Sequence, residues 1–233
     1  MNEYHIILCH KEIEKDYFGD YSNRKYISDT SVKGTIDISN GKYTSKILGE
    51  YVAWEWICNN FGDEDRVTLH HYRRKMPISI SPIIIPIPII FKISLKEQMR
   101  YFHSEKLSIA MDNTLSMEEK EIYNKNDLIC WNIFKAPISI CKEWLKYCGE
   151  KLNLLSQELN CGFDIDSVRR YVEDSNNGFL EEIPLKNTDI EYQMRFYACA
   201  LERYNTIFWN THNYIKEERM VRTFNTEMEI KYE

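Results

Sequence analysis

One short stretch, residues 67–74, constrains the fold more than any other part of this chain. A polar cluster at residues 62–65 is followed by the apolar run Val-Thr-Leu, which leads directly into His-His-Tyr-Arg-Arg. This order is typical of a buried strand that carries cationic and hydrogen-bonding side chains to the end of a sheet. Ligands of open α/β sheets bind outside the carboxyl ends of the strands, and arginine matches phosphate. The stretch therefore predicts an anion site for a phosphorylated ligand. The alternative is that Arg73 and Arg74 cap the strand and form surface ion pairs.

Length and composition limit the class of protein. The 233 residues suit one domain with a full core, and 28% charged with 43% hydrophobic residues is typical of a soluble globular protein. A net charge of −6 argues against broad nucleic-acid binding, which needs a basic surface. The seven cysteines contain no C-x-x-C pair and indicate reduced thiols in a cytoplasmic protein. Residues 1–5 show no basic region followed by an apolar core, so we expect no secretory signal.

The order of apolar patterns predicts alternating strands and helices, and hence an α/β domain. Strands are predicted at residues 4–9, 67–74, 83–90 and 129–134, and helices over residues 47–60, 141–159 and 187–207. Ser-x-x-Glu capping boxes at Ser94 and Ser116 predict two further helix starts. Residues 16–46 are polar without a sustained period and predict a long loop. Four of the six prolines lie in residues 76–91, so this apolar segment is predicted to be irregular. Its alternative interpretation is a surface patch that touches a membrane or a partner.

Six pieces of the sequence, in order, resemble one family of bacterial glycosyltransferases from capsule, lipopolysaccharide and exopolysaccharide gene clusters. Residues 69–74 resemble the strand of that family that ends in Cys/His-His-Tyr-Arg-Arg. The other pieces are the strand ending in His10-Lys11, the Trp-x-Trp helix at 54–56, the segment 97–103, the strand at 131–134 and the Glu-Tyr-Gln-x-Arg helix at 191–195. The resemblance extends from residue 4 to residue 212.

The resemblance implies a single GT-A-like, Rossmann-type domain with a mostly parallel central sheet flanked by helices. Residues 1–75 would form the donor nucleotide-binding half, residues 76–211 the acceptor half with the C-terminal helices, and residues 212–233 a tail. It further implies inverting, hexosyltransferase-type transfer from a nucleotide-sugar, expected to be a UDP-sugar with UDP-galactofuranose as a candidate, to a hydroxyl of a growing surface polysaccharide. A lipid-linked oligosaccharide acceptor would bring this cytoplasmic protein into transient contact with the inner face of the membrane.

The resemblance also nominates site residues. The expected donor contacts are His10, Lys11, Asp37, His71, Arg73 and Arg74. The expected acceptor contacts are His103, Asn132, Gln193 and Arg195. Transfer to a hydroxyl needs a carboxylate that takes its proton, and the candidates are Glu191 and, as a fallback, Asp189. The sequence leaves open that Glu191 only pairs with Arg195 across one helical turn, and that His103 is a helix cap.

Many enzymes of the GT-A fold hold a divalent metal on an Asp-x-Asp pair at the end of a strand. Here Asp63 and Asp65 precede their strand, while Asp164 and Asp166 follow a helix and can cap the next one. We therefore expect no metal cofactor, with the cations of residues 71–74 offsetting the charge of the leaving nucleoside diphosphate. A site for Mn²⁺ or Mg²⁺ is the alternative.

Two other classes of function stay open. Ile57 stands where the family has lysine, and residues 36–39 do not reproduce its Gly-Asp-Asn segment, which leaves room for a non-catalytic nucleotide- or carbohydrate-binding protein. A metal-dependent phosphoryl-transfer or hydrolytic enzyme would use His70, His71 and His103, but one adjacent pair and a distant histidine are poorly spaced for ligation.

Overall fold

The computed structural model describes residues 2–12, 18–19, 21–39, 41, 43–184 and 186–220, together with the backbone of residues 222–223. The strands are β1 (Glu3–Leu8), β2 (Arg24–Ser28), β3 (Ile36–Asp37), β4 (Arg66–His71), β5 (Arg74–Lys75), β6 (Ile84–Pro86), β7 (Ile89–Ile90), β8 (Asp127–Leu128), β9 (Lys135–Pro137), β10 (Glu217–Arg219) and β11 (Arg222–Thr223). The α-helices are α1 (Ser45–Leu48), α2 (Tyr51–Asn60), α3 (Leu95–Phe102), α4 (Glu105–Asn113), α5 (Met117–Tyr123), α6 (Ile138–Leu159), α7 (Ile165–Glu173), α8 (Ile190–Gln193) and α9 (Phe196–Thr211).

The central sheet has the strand order β10-β6-β9-β4-β1-β2-β3. Strands β3, β2, β1 and β4 are mutually parallel, and β9 runs antiparallel to both β4 and β6. The short strand β5 returns antiparallel to β4 and pairs with β11, while β7 and β8 form a separate ladder. The predicted α/β class, with a mostly parallel central sheet flanked by helices, is confirmed.

Both faces of the central strand β1 are covered. Ile6 and Leu8 belong to the main core, which includes the apolar sides of α2, α6 and α9. Ile7 points to the opposite face and packs in a second cluster with Phe18 and Tyr21. Parallel strands that are buried on both faces have continuous apolar sequences. Each fully buried Ile or Leu side chain contributes about 1.5–3 kcal/mol to the stability of the fold. With both faces closed, the carboxyl ends of β1 and β4 are where polar side chains emerge.

The predicted long loop at residues 16–46 is wrong in part, because the described residues of this stretch contain β2, β3 and the start of α1. Strands β2 and β3 extend the sheet by parallel backbone pairing beyond β1. Arg24 and Lys25 at the start of β2 and both residues of β3 are exposed. Short strands at an exposed edge need little apolar periodicity, so the sequence pattern does not show them.

The predicted buried strand at residues 129–134 is also wrong. This segment is irregular and lies between β8 and β9, and Trp131 has a φ of 61°. The left-handed conformation of a bulky residue breaks a strand ladder, so side chains satisfy the backbone instead. Glu202 accepts the Trp131 N–H at 3.0 Å, and Trp54 Nε1 donates to the Asn132 carbonyl at 2.7 Å.

The strongest helix signals are confirmed. Ser94 and Ser116 form the predicted capping boxes at the starts of α3 and α5. The long amphipathic helix is α6, with Cys141 and Cys148 on its buried face. The helix predicted over residues 47–60 is broken at Gly49, whose φ is 55°. This break places Glu50 at the N-cap position of α2, which begins at Tyr51.

The proline-rich segment is irregular, as predicted, and its apolar part forms β6 and β7 in place of one strand. Ile78, Ile80 and Ile90 are exposed on its surface. The described residues include no helix long and apolar enough to cross a membrane. Of the predicted tail, residue 221 and residues 224–233 lie outside the described residues, and β10 joins the edge of the sheet beside β6.

Candidate functional site

Residues 70–75 form a tight hairpin at the carboxyl end of β4. His71 is the last residue of β4, and Arg74 pairs back against it, so the tip consists of two residues, of which Arg73 is exposed. His71 Nδ1 accepts the Arg73 N–H at 3.2 Å. His70 Nδ1 accepts the Met76 N–H at 3.0 Å. The two histidines therefore fix the tip and the base of a turn that presents a cation.

His70 and His71 are both neutral. Burial holds the pKa of His70 well below its ordinary value, and its Nε2 donates to His5 Nδ1 at 3.1 Å. Burial, with the neighbouring Arg74 cation second, lowers the pKa of His71 to about 2. Since neither imidazole is protonated to the cationic form, the positive charge of the hairpin comes from its arginines.

Cations from three distant segments meet at the ends of β1 and β4. The His10 ring packs edge-on against Tyr72, with centroids 5.6 Å apart. Lys11 Nζ and the Arg73 guanidinium lie over the same Tyr72 ring, 5.6 and 5.2 Å from its centroid. Burial lowers the pKa of His10, and the charges of Arg73 and Arg195 lower it further. Four residues predicted from three motifs therefore lie together at this end of the sheet: His10, Lys11, Arg73 and Arg195. Among the described residues, neither Arg73 nor Arg195 forms an ion pair.

Asp29 follows the carboxyl end of β2 and lies beside His10 of the cationic region. Its carboxylate is almost fully buried and lies 3.7 Å from His10 Nδ1. It accepts the backbone N–H of Ser45 at 2.6 Å and the Ser45 hydroxyl at 2.8 Å. Asp29 thereby fixes the start of α1 and the orientation of His10. Sequence reasoning missed Asp29 because it falls in the stretch that was predicted to be a loop.

A cleft of about 520 Å³ lies beside β2 and adjoins the cationic region. Its described lining includes the side chains of Lys11, Arg24 and Lys33 against that of Glu12. Asp37 ends β3 at the same edge of the sheet, two strand spacings or about 10 Å from β1. Asp37 is exposed and accepts the Ser39 N–H at 2.8 Å.

On the inner side of the hairpin, Arg74 turns away from the tip. Its guanidinium lies 4.3 Å from the centroid of the Trp131 ring. Asn132 Nδ2 donates to Glu50 Oε2 at 3.4 Å, and Glu202 accepts the Trp131 N–H. Burial raises the pKa of Glu202, and the negative charge of Glu50 raises it further. The structure therefore groups Arg74 and Asn132 with two carboxylates that the sequence did not single out.

The predicted bases, Glu191 and Asp189, lie at the start of α8 and make surface contacts. Glu191 pairs with Lys46 at 2.7 Å and with Arg169 at 2.6 Å, and hydrogen bonds from these two cations lower its pKa. Asp189 caps α8 by accepting the Tyr192 N–H at 2.8 Å. Glu191 is a helix residue in surface ion pairs, but its described partners lie on α1 and α7, and the alternative of a pair with Arg195 is not what the structure shows.

His103 and Gln193, two predicted acceptor contacts, form a buried pair. The Gln193 amide donates to the Phe102 carbonyl at 2.8 Å, so its Oε1 accepts from His103 Nδ1 at 2.9 Å. His103 is 1% exposed, and burial lowers its pKa to about 3. The pair joins the end of α3 to α8, and His103 is the C-cap residue of α3, which was the alternative interpretation.

The two Asp-x-Asp pairs lie away from this region. Asp63 and Asp65 stand on the amino side of β4, and Asp164 caps α7 by accepting the Ser167 N–H at 2.8 Å. Throughout the ranges that the structure describes, no group of three or more His, Cys, Asp or Glu side chains is arranged to hold a metal ion. The cationic side chains at the hairpin tip do not fit a divalent cation, because like charges repel.

The fold is similar to that of WbbM, a bifunctional glycosyltransferase whose structure was solved in the apo form. The TM-score is 0.70 at 13% sequence identity, over 97% of this chain and 46% of the WbbM chain. The chain thus spans about half the length of that structure. The predicted Rossmann-type, glycosyltransferase-like fold is confirmed. No protein-family model and no curated protein sequence matches the chain, so the family resemblance rests on its motifs.

Proposed function

We propose that this protein is a glycosyltransferase that moves a hexosyl group from a nucleotide-sugar to a hydroxyl group. The observation that carries the proposal is the exposed cation of Arg73 on a rigid hairpin tip beside His10, Lys11 and Arg195. This cluster stands at the carboxyl ends of parallel strands, where α/β sheets bind ligands. The likeness in fold to a glycosyltransferase agrees with it.

The cationic cluster suits the diphosphate of the donor. Arginine forms bidentate, charge-assisted hydrogen bonds with phosphate, and Lys11 adds a mobile cation over Tyr72. In the transfer, the bond between the sugar C1 and the diphosphate oxygen breaks, and its electron pair leaves with the nucleoside diphosphate. Fixed cations at that position stabilise the developing charge, which is the part a divalent metal plays elsewhere. We therefore propose a metal-independent reaction.

The remaining details follow the sequence resemblance. We propose a UDP-sugar as donor, with UDP-galactofuranose as a candidate, and inversion at C1. The acceptor would be a lipid-linked oligosaccharide of a surface polysaccharide. The exposed side chains of Ile78, Ile80 and Ile90 support transient contact with the inner face of a membrane. His103 and Gln193 would then support the acceptor region from within rather than touch the acceptor.

The test is release of UDP from a panel of UDP-hexoses, including UDP-galactose, UDP-glucose and UDP-galactofuranose, with EDTA present. We expect release by the wild-type protein and a loss of at least about 10-fold in Arg73→Ala, because charge-assisted bonds contribute about 1.5–3 kcal/mol each. Arg100→Ala, an exposed arginine on α3, is the matched control. Binding of UDP without turnover of any donor would favour the non-catalytic nucleotide-binding protein instead.

A further inference from the structure

Two carboxylates stand together on the inner side of the hairpin. Glu50 has the cap position of α2, and Glu202 lies on α9 two turns after Arg195. The negative charge of Glu50 acts on His10 at the cationic cluster and also on Arg74 and Glu202. Glu50 is therefore close enough to act electrostatically on both the cationic cluster and Glu202. Glu202 keeps 24% of its side chain exposed, so a ligand can reach it.

The Glu202 carboxylate is held in a fixed orientation. One oxygen accepts the Trp131 N–H at 3.0 Å, and the other lies 3.4 Å from Arg203 Nη1. Trp131 adopts a left-handed conformation that is strained in a bulky residue. Such outliers persist only where the surroundings enforce them, and they cluster at active sites. Here the strained turn aims one backbone N–H at one carboxylate.

Three other described carboxylates near the cluster are occupied. Asp29 is almost fully buried and accepts two hydrogen bonds from Ser45. Glu191 is held by two cations on the surface, and Asp189 caps α8. Among the described residues, Glu202 has its nearest cation at 3.4 Å and Glu50 accepts only a 3.4 Å hydrogen bond from Asn132, so both carboxylates can exchange a proton with a ligand.

We propose that Glu202 is the general base that takes the proton of the acceptor hydroxyl, and that Glu50, which accepts from Asn132 beside Trp131, is a positioning residue whose charge acts on Glu202. This proposal rests on the proposed function. The acceptor O–H bond breaks, and its proton moves to the Glu202 carboxylate. The acceptor oxygen forms the new bond to C1, while the electron pair of the C1–phosphate bond leaves with the nucleoside diphosphate.

The surroundings of Glu202 suit this role. The titratable and charged groups that face it are Arg74, Arg203, Glu50, Cys130, Cys199 and Tyr192. Burial is the first cause of its raised pKa, and the charge of Glu50 adds to it, while Arg203 and Arg74 oppose it. A carboxylate of raised pKa accepts a proton more readily, provided the pH keeps it ionised.

The first test compares Glu202→Gln with the wild-type protein in UDP release from UDP-hexoses, with water as the acceptor. General bases contribute about 10²–10⁴ in rate, so we expect turnover to fall by that factor while the affinity for UDP is kept. Glutamine retains an oxygen that can accept the Trp131 N–H, so the turn is preserved. Glu158→Gln, an exposed glutamate on α6, is the matched control.

The second test uses the pH profile, which a purely structural role of Glu50 would not move. The base works only when ionised, so turnover rises with pH through the pKa of Glu202. In Glu50→Gln the nearby negative charge is gone, ionisation of Glu202 is easier, and this acidic limb moves to lower pH.

The results separate the two proposals. Full activity of Glu202→Gln, or a loss confined to Glu191→Gln, would overturn the assignment of Glu202 and leave the donor site intact. An unmoved pH profile in Glu50→Gln would overturn the role of Glu50. Wild-type protein that binds UDP but releases none from any UDP-hexose would reject the proposed function, and the assignment of Glu202 would fall with it. Absence of UDP binding would reject the proposed function itself.

Discussion

Two adjacent arginines show how position within one turn decides what a residue can do. Arg73 stands at the exposed tip of the hairpin, while Arg74 folds back over the ring of Trp131. Neither forms an ion pair with a described residue, so the alternative of surface ion pairs finds no support in that part of the chain. The sequence pattern placed both arginines at a strand end. It could not show that the chain reverses between them.

Buried neutral histidines make the protein sensitive to acid. His103 in the folded state has its pKa lowered to about 3 by burial, whereas an unfolded histidine titrates near its ordinary value. Between those two pH values the unfolded chain binds the extra proton, so the free energy of unfolding falls as the pH falls, by about 1.4 kcal/mol per pH unit.

His103→Gln should therefore flatten the pH dependence of stability. Glutamine can still donate to Gln193 but does not titrate, so the slope between about pH 6 and pH 4 should drop by the equivalent of one proton. Urea unfolding at a series of pH values measures this slope. A slope equal to that of the wild-type protein would show that His103 is not neutral in the folded state.

At the scale of elements, the strongest local signals are confirmed, whereas helix breaks and strands that depend on long-range pairing were missed. The capping boxes of α3 and α5 and the periodicity of α6 depend on neighbours in sequence, and each was confirmed. Strand β2 forms by pairing with β1 and strand β3 by pairing with β2, and no local sequence pattern indicates either pairing. Residues 129–134 look like a strand, but Glu202 and Trp54 satisfy their backbone from distant helices.

The hairpin depends on the acceptor nitrogen of His70. His70→Phe keeps an aromatic ring against Phe18 and Tyr21 but leaves the buried N–H of Met76 without an acceptor. An unpaired buried donor costs about 1–3 kcal/mol, so the free energy of unfolding should fall by that amount. Chemical denaturation measures it, and UDP affinity should fall as well because the tip is less rigid. Unchanged stability and affinity would show that the hairpin keeps its structure without the hydrogen bond from Met76 to His70.

The break between α1 and α2 depends on Gly49. Its φ of 55° is unfavourable for any residue with a Cβ, and an added Cβ would lie 3.4 Å from that of Ala198. Gly49→Ala should therefore cost about 1–3 kcal/mol in stability. Because Glu50 follows directly, turnover should fall more than UDP affinity. Thermal unfolding together with UDP binding checks both effects, and a fully stable, fully active variant would contradict them.

At the scale of the whole molecule, the candidate site gathers residues from nearly the full length of the chain. The sequence motifs supplied His10, Lys11, Arg73 and Arg195, and the fold brings these together. Asp29, Glu50 and Glu202 were missed because their roles come from tertiary neighbours. One signal existed: Glu202 follows Arg195 by seven residues and so shares its face of the predicted helix.

The central claim is that fixed cations on the hairpin bind a nucleoside diphosphate without a metal. The most direct measurement is calorimetric titration of UDP in EDTA and then in Mn²⁺, with GDP and CMP as controls. We expect micromolar UDP binding that survives EDTA, weakens at least about 10-fold in Arg73→Ala and persists in Arg100→Ala. Binding that appears only with Mn²⁺, or that is unchanged in Arg73→Ala, would contradict it.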